Sequence, residues 1–166
     1  DYVNLRKLAV DAAFKSGDYA KAIFHQQRLL EALKRQGNDG LLPEALYQLG
    51  ILYSRAEDYP NAVQYLKAAN KIWSDTDELD RLAEGQATLG VVSENSGDYS
   101  DALKNFDASF KLYDEMGEMA DVAKQNRRIG RIYYLRLNRY QQAREHFQAA
   151  LSQYQEVEDE VGQIET

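Results

Sequence analysis

The 166-residue sequence has no cysteine, two prolines, two methionines and one tryptophan. The absence of cysteine excludes disulfides, zinc–thiolate sites and cysteine nucleophiles, and it leaves the redox compartment undetermined. Two prolines and ten glycines are few for a chain rich in linkers, so they favour long helices joined by short turns. No apolar run approaches the roughly 20 residues that a membrane-spanning helix needs.

An excess of basic charge is also missing. The chain has 20 Lys and Arg against 27 Asp and Glu, for a formal charge of −7. Phosphate surfaces select basic proteins, so we expect neither nucleic acid nor an anionic membrane as a partner. The opening residues Asp1-Tyr2-Val3-Asn4 lack a signal-peptide pattern and an initial methionine. We predict a cytoplasmic location and a fragment of a longer protein.

A short stretch of sequence occurs four times. It reads Gly-Asp-Tyr-Ala-Lys-Ala at 17–22, Glu-Asp-Tyr-Pro-Asn-Ala at 57–62, Gly-Asp-Tyr-Ser-Asp-Ala at 97–102 and Asn-Arg-Tyr-Gln-Gln-Ala at 138–143. The final alanines are 40, 40 and 41 residues apart, and a second marker keeps the same period of 40 at Leu49-Gly50, Leu89-Gly90 and Ile129-Gly130. Two markers with one period indicate stacked repeats.

Apolar residues at helical spacing on both sides of each stretch predict four helix pairs. The glycine of the stretch can end one helix in the left-handed conformation, and the aspartate can cap the next. The predicted helices cover residues 3–16, 19–35, 43–55, 59–73, 78–95, 99–116, 119–135 and 140–157. On the first helix we expect an apolar stripe of Leu5, Leu8, Ala9, Ala12 and Ala13. The recurring alanines and mid-helix glycines predict close approach of the paired helices.

These markers resemble the tetratricopeptide repeat (TPR) family, through Leu49-Gly50-x-x-Tyr53, Leu89-Gly90, Ile129-Gly130-x-x-Tyr133 and the Gly-Asp-Tyr-x-x-Ala turns. The common repeat has about 34 residues. The longer repeat here looks like the subclass of kinesin light chains, spindle-orientation adaptors and bacterial peptide-sensing regulators. The resemblance implies an all-α, right-handed superhelical solenoid of four helix-turn-helix repeats. Repeat one departs from the pattern, since Val10 replaces the glycine and Ala13 the tyrosine.

We predict a single TPR domain over residues 1–166, with repeats at about 3–37, 41–75, 77–117 and 118–157. Residues 158–166 form either a cap or the start of a further repeat. We favour the further repeat, because a solenoid needs a polar capping helix and none is complete in this sequence.

The resemblance places the exposed sides of the first helices on a concave groove that holds a partner. In this register the predicted partner-binding residues are Lys7; Tyr47, Gln48, Ile51 and Arg55; Val91 and Asn95; and Lys124, Arg127, Arg128, Arg131 and Tyr134. The four cations of the last set share one helix face. Because the arginine fork binds carboxylates bidentately, we expect an acidic peptide or a free C-terminus. The alternative is a solvated face neutralised by acids of the chain itself, such as Glu94.

No catalytic constellation is visible in the sequence. His25 and His146 stand at equivalent points of two second helices, far apart in a linear array, and we interpret them as structural. We therefore predict no enzyme activity, no metal and no cofactor. The main hypothesis is a protein–protein interaction scaffold. A ligand- or peptide-sensing regulatory domain and a structural repeat that self-associates through the solenoid ends remain alternatives.

Overall fold

A computed structural model describes residues 2–164, with side chains as far as residue 158. The helices are α1 (Tyr2–Lys15), α2 (Tyr19–Arg35), α3 (Leu42–Arg55), α4 (Tyr59–Asp75), α5 (Leu79–Ser96), α6 (Tyr99–Met116), α7 (Met119–Leu135) and α8 (Tyr140–Ile164), with a 3-10 turn at Asp39–Leu41. Residues 2–164 contain no strand, so the fold is an all-α helical-repeat solenoid, as predicted.

The predicted and observed helix bounds agree closely except at the end of the chain. α2, α6 and α7 have the predicted bounds, and α1, α3, α4 and α5 differ from theirs by one or two residues at an end. α8 continues to Ile164, so residues 158–164, for which the sequence left a cap or a new repeat, are helical and continuous with α8. Residues 165–166 lie outside the described residues.

The helices divide into two compact units, with the boundary between Glu78 and Leu79. Unit 1 contains α1–α4 and unit 2 contains α5–α8. In unit 1, α1 packs on α2 and α3 on α4, and α2 also packs on α3. Unit 2 repeats this arrangement, with α5 on α6, α7 on α8, and α6 on α7. The sequence gives no sign of the boundary, because the repeat period continues through it.

The repeated stretch forms the turn inside each helix pair. Asp18, Asp58 and Asp98 cap the second helices, each accepting a hydrogen bond from the backbone N–H three residues later at 3.0, 3.3 and 3.1 Å. The residue before the cap position has a left-handed backbone in all four turns: Gly17 (φ 75°), Glu57 (φ 60°), Gly97 (φ 85°) and Asn138 (φ 52°). The capped-turn prediction is confirmed for the first three repeats, and in the fourth Arg139 stands in place of the aspartate.

The mid-helix glycines lie against large side chains of the paired helices. An added Cβ would come within 2.6 Å of Leu66 at Gly50, 2.5 Å of Phe106 at Gly90 and 2.9 Å of Phe147 at Gly130. No other residue has room at these contacts without displacing its neighbour. The four recurring alanines, Ala22, Ala62, Ala102 and Ala143, are at most 1% exposed. The predicted close approach of the paired helices is confirmed.

Helix α1 buries a different face from the predicted one. Leu5 and Leu8 are 67% and 65% exposed, whereas Val3 and Ala13 are buried. The predicted stripe was therefore wrong at Leu5, Leu8 and Ala12, which are exposed, and right at Ala13. In α3 the position that corresponds to Leu5 is Ala45, which is covered by α2. No second helix precedes α1 in the described part of the chain, so its equivalent face has no cover there.

Candidate partner-binding site

The predicted partner-binding residues all lie on first helices and are divided between the two units. Unit 1 contains Lys7, Tyr47, Gln48, Ile51 and Arg55. Unit 2 contains Val91, Asn95, Lys124, Arg127, Arg128, Arg131 and Tyr134.

In unit 1 the predicted residues differ widely in exposure. Lys7, Gln48 and Arg55 are exposed, and Ile51 is half-buried. Tyr47 is only 6% exposed, and its ring lies edge-on to that of Trp73 with the centroids 5.4 Å apart. The assignment of Tyr47 to the floor of a groove was therefore wrong. Its helical position points into the core of unit 1.

Two of these residues, Lys7 and Gln48, line a depression of about 260 Å³ between α1, α2 and α3, which we call the unit 1 pocket. Gln26 is 4% exposed, and its Nε2 donates to the Ala45 carbonyl at 2.9 Å. Its Oε1 accepts no hydrogen bond from the described residues. The other lining residues are Val10, Asp11, Leu29, Leu33, Leu41 and Glu44.

In unit 2, Lys124, Arg127, Arg128 and Arg131 lie together along α7, and we call them the α7 basic face. Lys124 Nζ is 3.5 Å from Asp121 Oδ1, and Arg131 Nη2 is 2.7 Å from Glu94 Oε2 on α5. Arg127 is exposed and pairs with no carboxylate among residues 2–158. Neutralisation by Glu94 therefore holds for Arg131 and does not extend to the whole face.

Arg128 is the most enclosed cation of this face. Its guanidinium lies 5.3 Å from the ring centre of Phe106, and its Nη1 donates to Gln125 Oε1 at 3.3 Å. Burial lowers the pKa of Arg128 from its ordinary value, and the positive charges of Arg131 and Arg127 lower it further. Like charges on the α7 basic face therefore repel one another at Arg128, and Glu94 offsets this only in part.

Some of the aromatic and apolar residues around the α7 basic face are partly buried in the core of unit 2. Burial, followed by the negative charge of Asp121, raises the pKa of Tyr113 to about 12, so its hydroxyl is a donor at neutral pH. Val91 is half-buried against the cluster that contains Phe106 and Ile129, and Asn95 is exposed. Val91 therefore packs mainly against the core and offers little surface to a partner.

The last predicted residue, Tyr134, belongs to a different surface. It is 51% exposed and lies edge-on to Tyr140, with the ring centroids 5.6 Å apart. Together with Phe147 and Leu151 these tyrosines line a shallow depression of about 340 Å³, which we call the α8 apolar face. Sequence reasoning missed this surface. The signal was available, because Tyr140 and Phe147 correspond to Tyr99 and Phe106 of α6, which α7 covers.

The two histidines take part in equivalent local contacts. Arg6 Nη1 lies 2.8 Å from His25 Nδ1, and Asn126 Oδ1 lies 2.9 Å from His146 Nδ1. Arg6 and Asn126 are themselves equivalent positions of the repeat, so these contacts are structural. In the described part of the chain, no group of three or more His, Cys, Asp or Glu is arranged to hold a metal. No described helix combines the length and apolar character needed to cross a bilayer.

Two family models match the chain. The tetratricopeptide repeat model matches residues 3–75, and the model described as soluble NSF attachment protein, SNAP, matches residues 45–159, which is more than half of the sequence. A comparison with curated proteins finds no match.

Several solved structures share this fold. The apo form of RapI has a TM-score of 0.86 at 18% identity, covering 95% of this chain and 44% of its own. BtubC (BKLC) from P. vanneervenii has a TM-score of 0.73 at 22% identity, covering 93% of this chain and 63% of its own. Aspartyl phosphate phosphatase F from Bacillus subtilis has a TM-score of 0.66 at 14% identity, with 92% and 49% covered.

The chain thus spans about half to two thirds of the length of these proteins, and identities this low support the shared fold alone. The period, the capped turns and the glycine contacts are features of one helical-repeat architecture. The chain therefore belongs to the family described as soluble NSF attachment protein, SNAP, and its N-terminal residues 3–75 match the tetratricopeptide repeat model.

Proposed function

We propose that this chain is a protein-interaction scaffold whose α7 basic face binds an acidic segment, or the free C-terminus, of a partner protein. The observation that carries the proposal is the charge imbalance of that face. Four cations lie along α7, two of them have a carboxylate partner, and Arg127 is exposed without one among residues 2–158. An incoming carboxylate supplies the missing charge.

The local energetics support an external carboxylate. Like charges three or four residues apart on a helix cost a few tenths of a kcal/mol per pair. Burial lowers the pKa of Arg128, and the charges of Arg131 and Arg127 act in the same direction, which is consistent with this repulsion. A carboxylate placed beside Arg127 and Arg128 would reduce the repulsion between these cations. It would also accept two parallel N–H hydrogen bonds from one guanidinium. Helical-repeat proteins commonly present such extended surfaces to partner chains.

The test is a screen of the chain against a displayed peptide library with free and with amidated C-termini. We expect acidic peptides to be enriched, with affinity that falls as salt rises. A Lys124→Gln/Arg127→Gln variant should bind the enriched peptides about 10-fold more weakly, since each charged contact contributes roughly 0.5–1 kcal/mol at an exposed site. Both side chains are exposed, so the variant should keep its fold.

The matched control is Lys104→Gln/Arg144→Gln, which removes two exposed cations from second helices of the same unit. It changes the net charge equally and should leave peptide affinity within about 2-fold of the unmodified chain. Equal losses of peptide affinity in both variants would show that net charge, and not the α7 basic face, determines binding. Enrichment of apolar or basic peptides alone would refute the proposal.

Self-association is the second candidate function, and the α8 apolar face favours it. Tyr140 and Leu151 are 60% and 59% exposed, although the equivalent face of α6 is covered by the next first helix. A helix from a second copy could cover α8 in the same way. A Tyr140→Ser/Leu151→Gln variant should then lower the weight-average mass measured by light scattering at high concentration. A concentration-independent monomer mass for the unmodified chain would dismiss this candidate.

A further inference from the structure

The unit 1 pocket occupies a place that unit 2 fills with its own side chains. Residues of α2 and α3 correspond to those 80 positions later in α6 and α7, as Gly50 corresponds to Gly130. The side chain in unit 1 is the smaller one at each of four lining positions: Ala45 against Gln125, Gln48 against Arg128, Gln26 against Phe106, and Leu33 against Tyr113. At three other lining positions the order is reversed: Lys7 against Ala87, Val10 against Gly90, and Leu29 against Ser109. The two units therefore line this place with side chains of different shape and charge.

In unit 2 an arginine side chain occupies this place. Arg128 is half-buried, with its guanidinium over the Phe106 ring at 5.3 Å and a hydrogen bond to Gln125 Oε1 at 3.3 Å. Unit 2 therefore shows that the space between two successive helix pairs accommodates an arginine.

The unit 1 pocket offers hydrogen-bond acceptors to a guanidinium group. No arginine is among the described residues that line it. Gln26 Oε1 is part of a side chain that is only 4% exposed, and it accepts no hydrogen bond from the described residues. Asp11 and Glu44 place carboxylates on the lining, where the corresponding residues of unit 2 are Val91 and Lys124, and Glu44 Oε1 already accepts a hydrogen bond from Gln48 Nε2 at 2.9 Å. The charge at this place is thus reversed between the units.

We propose that the unit 1 pocket binds the side chain of an arginine from a partner protein. The aliphatic stem would lie against Leu29 and Leu33, while the guanidinium donates to Gln26 Oε1 and Asp11. Lys7, also on the lining, is exposed and long enough to turn towards water. The site uses residues of unit 1 alone and does not rest on acid binding by the α7 basic face.

The test is a titration of the full chain with N-acetyl-arginine amide, followed by backbone amide NMR. A single side chain should bind with a Kd on the order of 1–10 mM. Saturable shifts should centre on Gln26, Ala45 and Gln48. Parallel titrations use the blocked amides of lysine, leucine and glutamate, and free arginine. The arginine amide should bind at least about 3-fold more tightly than each of the others.

Three variants sharpen the test. Asp11→Asn should weaken binding about 3- to 10-fold, and Lys7→Gln should tighten it, because they remove an attractive and a repulsive charge. Gln48→Arg installs the arginine of unit 2 at an exposed position, so it should keep the unfolding midpoint and weaken binding at least about 5-fold by adding a positive charge to the pocket. Glu31→Gln, an exposed carboxylate on α2 outside the pocket, is the control and should bind as the unmodified chain does.

Several results would overturn the proposal. No saturable shifts at the pocket, or equal binding of the leucine amide with no effect of Asp11→Asn, would show that no guanidinium site exists. Tighter binding of the glutamate amide would assign the pocket to an acid held by Lys7. Tighter binding of free arginine would make the ligand an amino acid instead of a partner chain.

Discussion

The three later repeats place a mid-helix glycine against leucine or phenylalanine of the paired helix, whereas repeat one has Val10 and Gln26 at these two positions. A larger residue on one helix is matched by a smaller or more flexible one on the other. Packing interiors to a constant density requires such compensation. The repeat is therefore marked by a pair of positions that face each other across the two helices. The mid-helix glycine is one position of this pair, and the large side chain of the second helix is the other.

The largest expected effect comes from breaking this pair in repeat three. In Gly90→Val the new Cβ would lie 2.5 Å from Phe106, so the ring or the helix must move. We expect a loss of about 3 kcal/mol in the free energy of unfolding, measured by urea denaturation followed by circular dichroism. Gly40→Val is the control, because a Cβ there has no neighbour within 4 Å. If Gly90→Val lost as little unfolding free energy as Gly40→Val, the glycine would not be required for packing against Phe106.

The double variant Gly90→Val/Phe106→Gln copies the residues of repeat one into repeat three. Phe106→Gln alone should cost about 3 kcal/mol or more, since it removes a fully buried ring. If the pair of positions is the unit of packing, the double variant should lose at least about 1 kcal/mol less than the sum of the single losses. Strict additivity in the same denaturation experiment would contradict this.

A gain in stability is expected at Asn70, which occupies in repeat two the position of Leu30 in repeat one. Asn70 is 5% exposed, and neither of its amide atoms has a hydrogen-bond partner among the described residues. Asn70→Leu should therefore raise the free energy of unfolding by about 1–2 kcal/mol. Asn126→Leu, which removes hydrogen bonds to Gln153 and His146, should lower it. A destabilised Asn70→Leu would show that the amide is satisfied by water.

A smaller gain is expected in the turn of repeat two. Glu57 has φ 60°, a conformation in which repeats one and three have glycine. Glu57→Gly should stabilise the chain by about 0.5–1 kcal/mol, because glycine adopts this conformation without a Cβ clash. The reciprocal variant Gly97→Glu should lose a similar amount. Thermal unfolding midpoints of both would settle the sign, and a neutral Glu57→Gly would count against backbone strain at this turn.

The smallest effect concerns pH. Burial lowers the pKa of His146 from its ordinary value of 6.5. As pH falls, the unfolded chain takes up this proton first, so the contribution of the neutral ring to stability is present above about pH 6.5 and is lost below it. His146→Gln should flatten the slope of unfolding free energy against pH in that acidic window. An unchanged slope would show that the ring is solvated in the native state.

The sequence predicted most of the fold because its signals are local. Turn residues such as Gly17 and Asp18 act on their own neighbours, and the spacing of apolar residues decides which segments are helical. The site was less predictable because it depends on what covers each helix. Tyr47 was assigned to a surface but is buried beside Trp73, and Leu5 was assigned to the core but is 67% exposed, since none of the described helices covers it. The unit 1 pocket depends on side chains from three different helices, which no single spacing reveals.

Trp73 gives one further consequence of the division into units. It is the single tryptophan of the chain, is 2% exposed and lies in α4 of unit 1. Its fluorescence therefore reports unfolding around α4, while circular dichroism reports the helices of both units. Coincident transitions would mean that the units unfold as one cooperative system, and separate transitions would give the stability of each. The chain thus contains an intrinsic optical probe for one half of its structure.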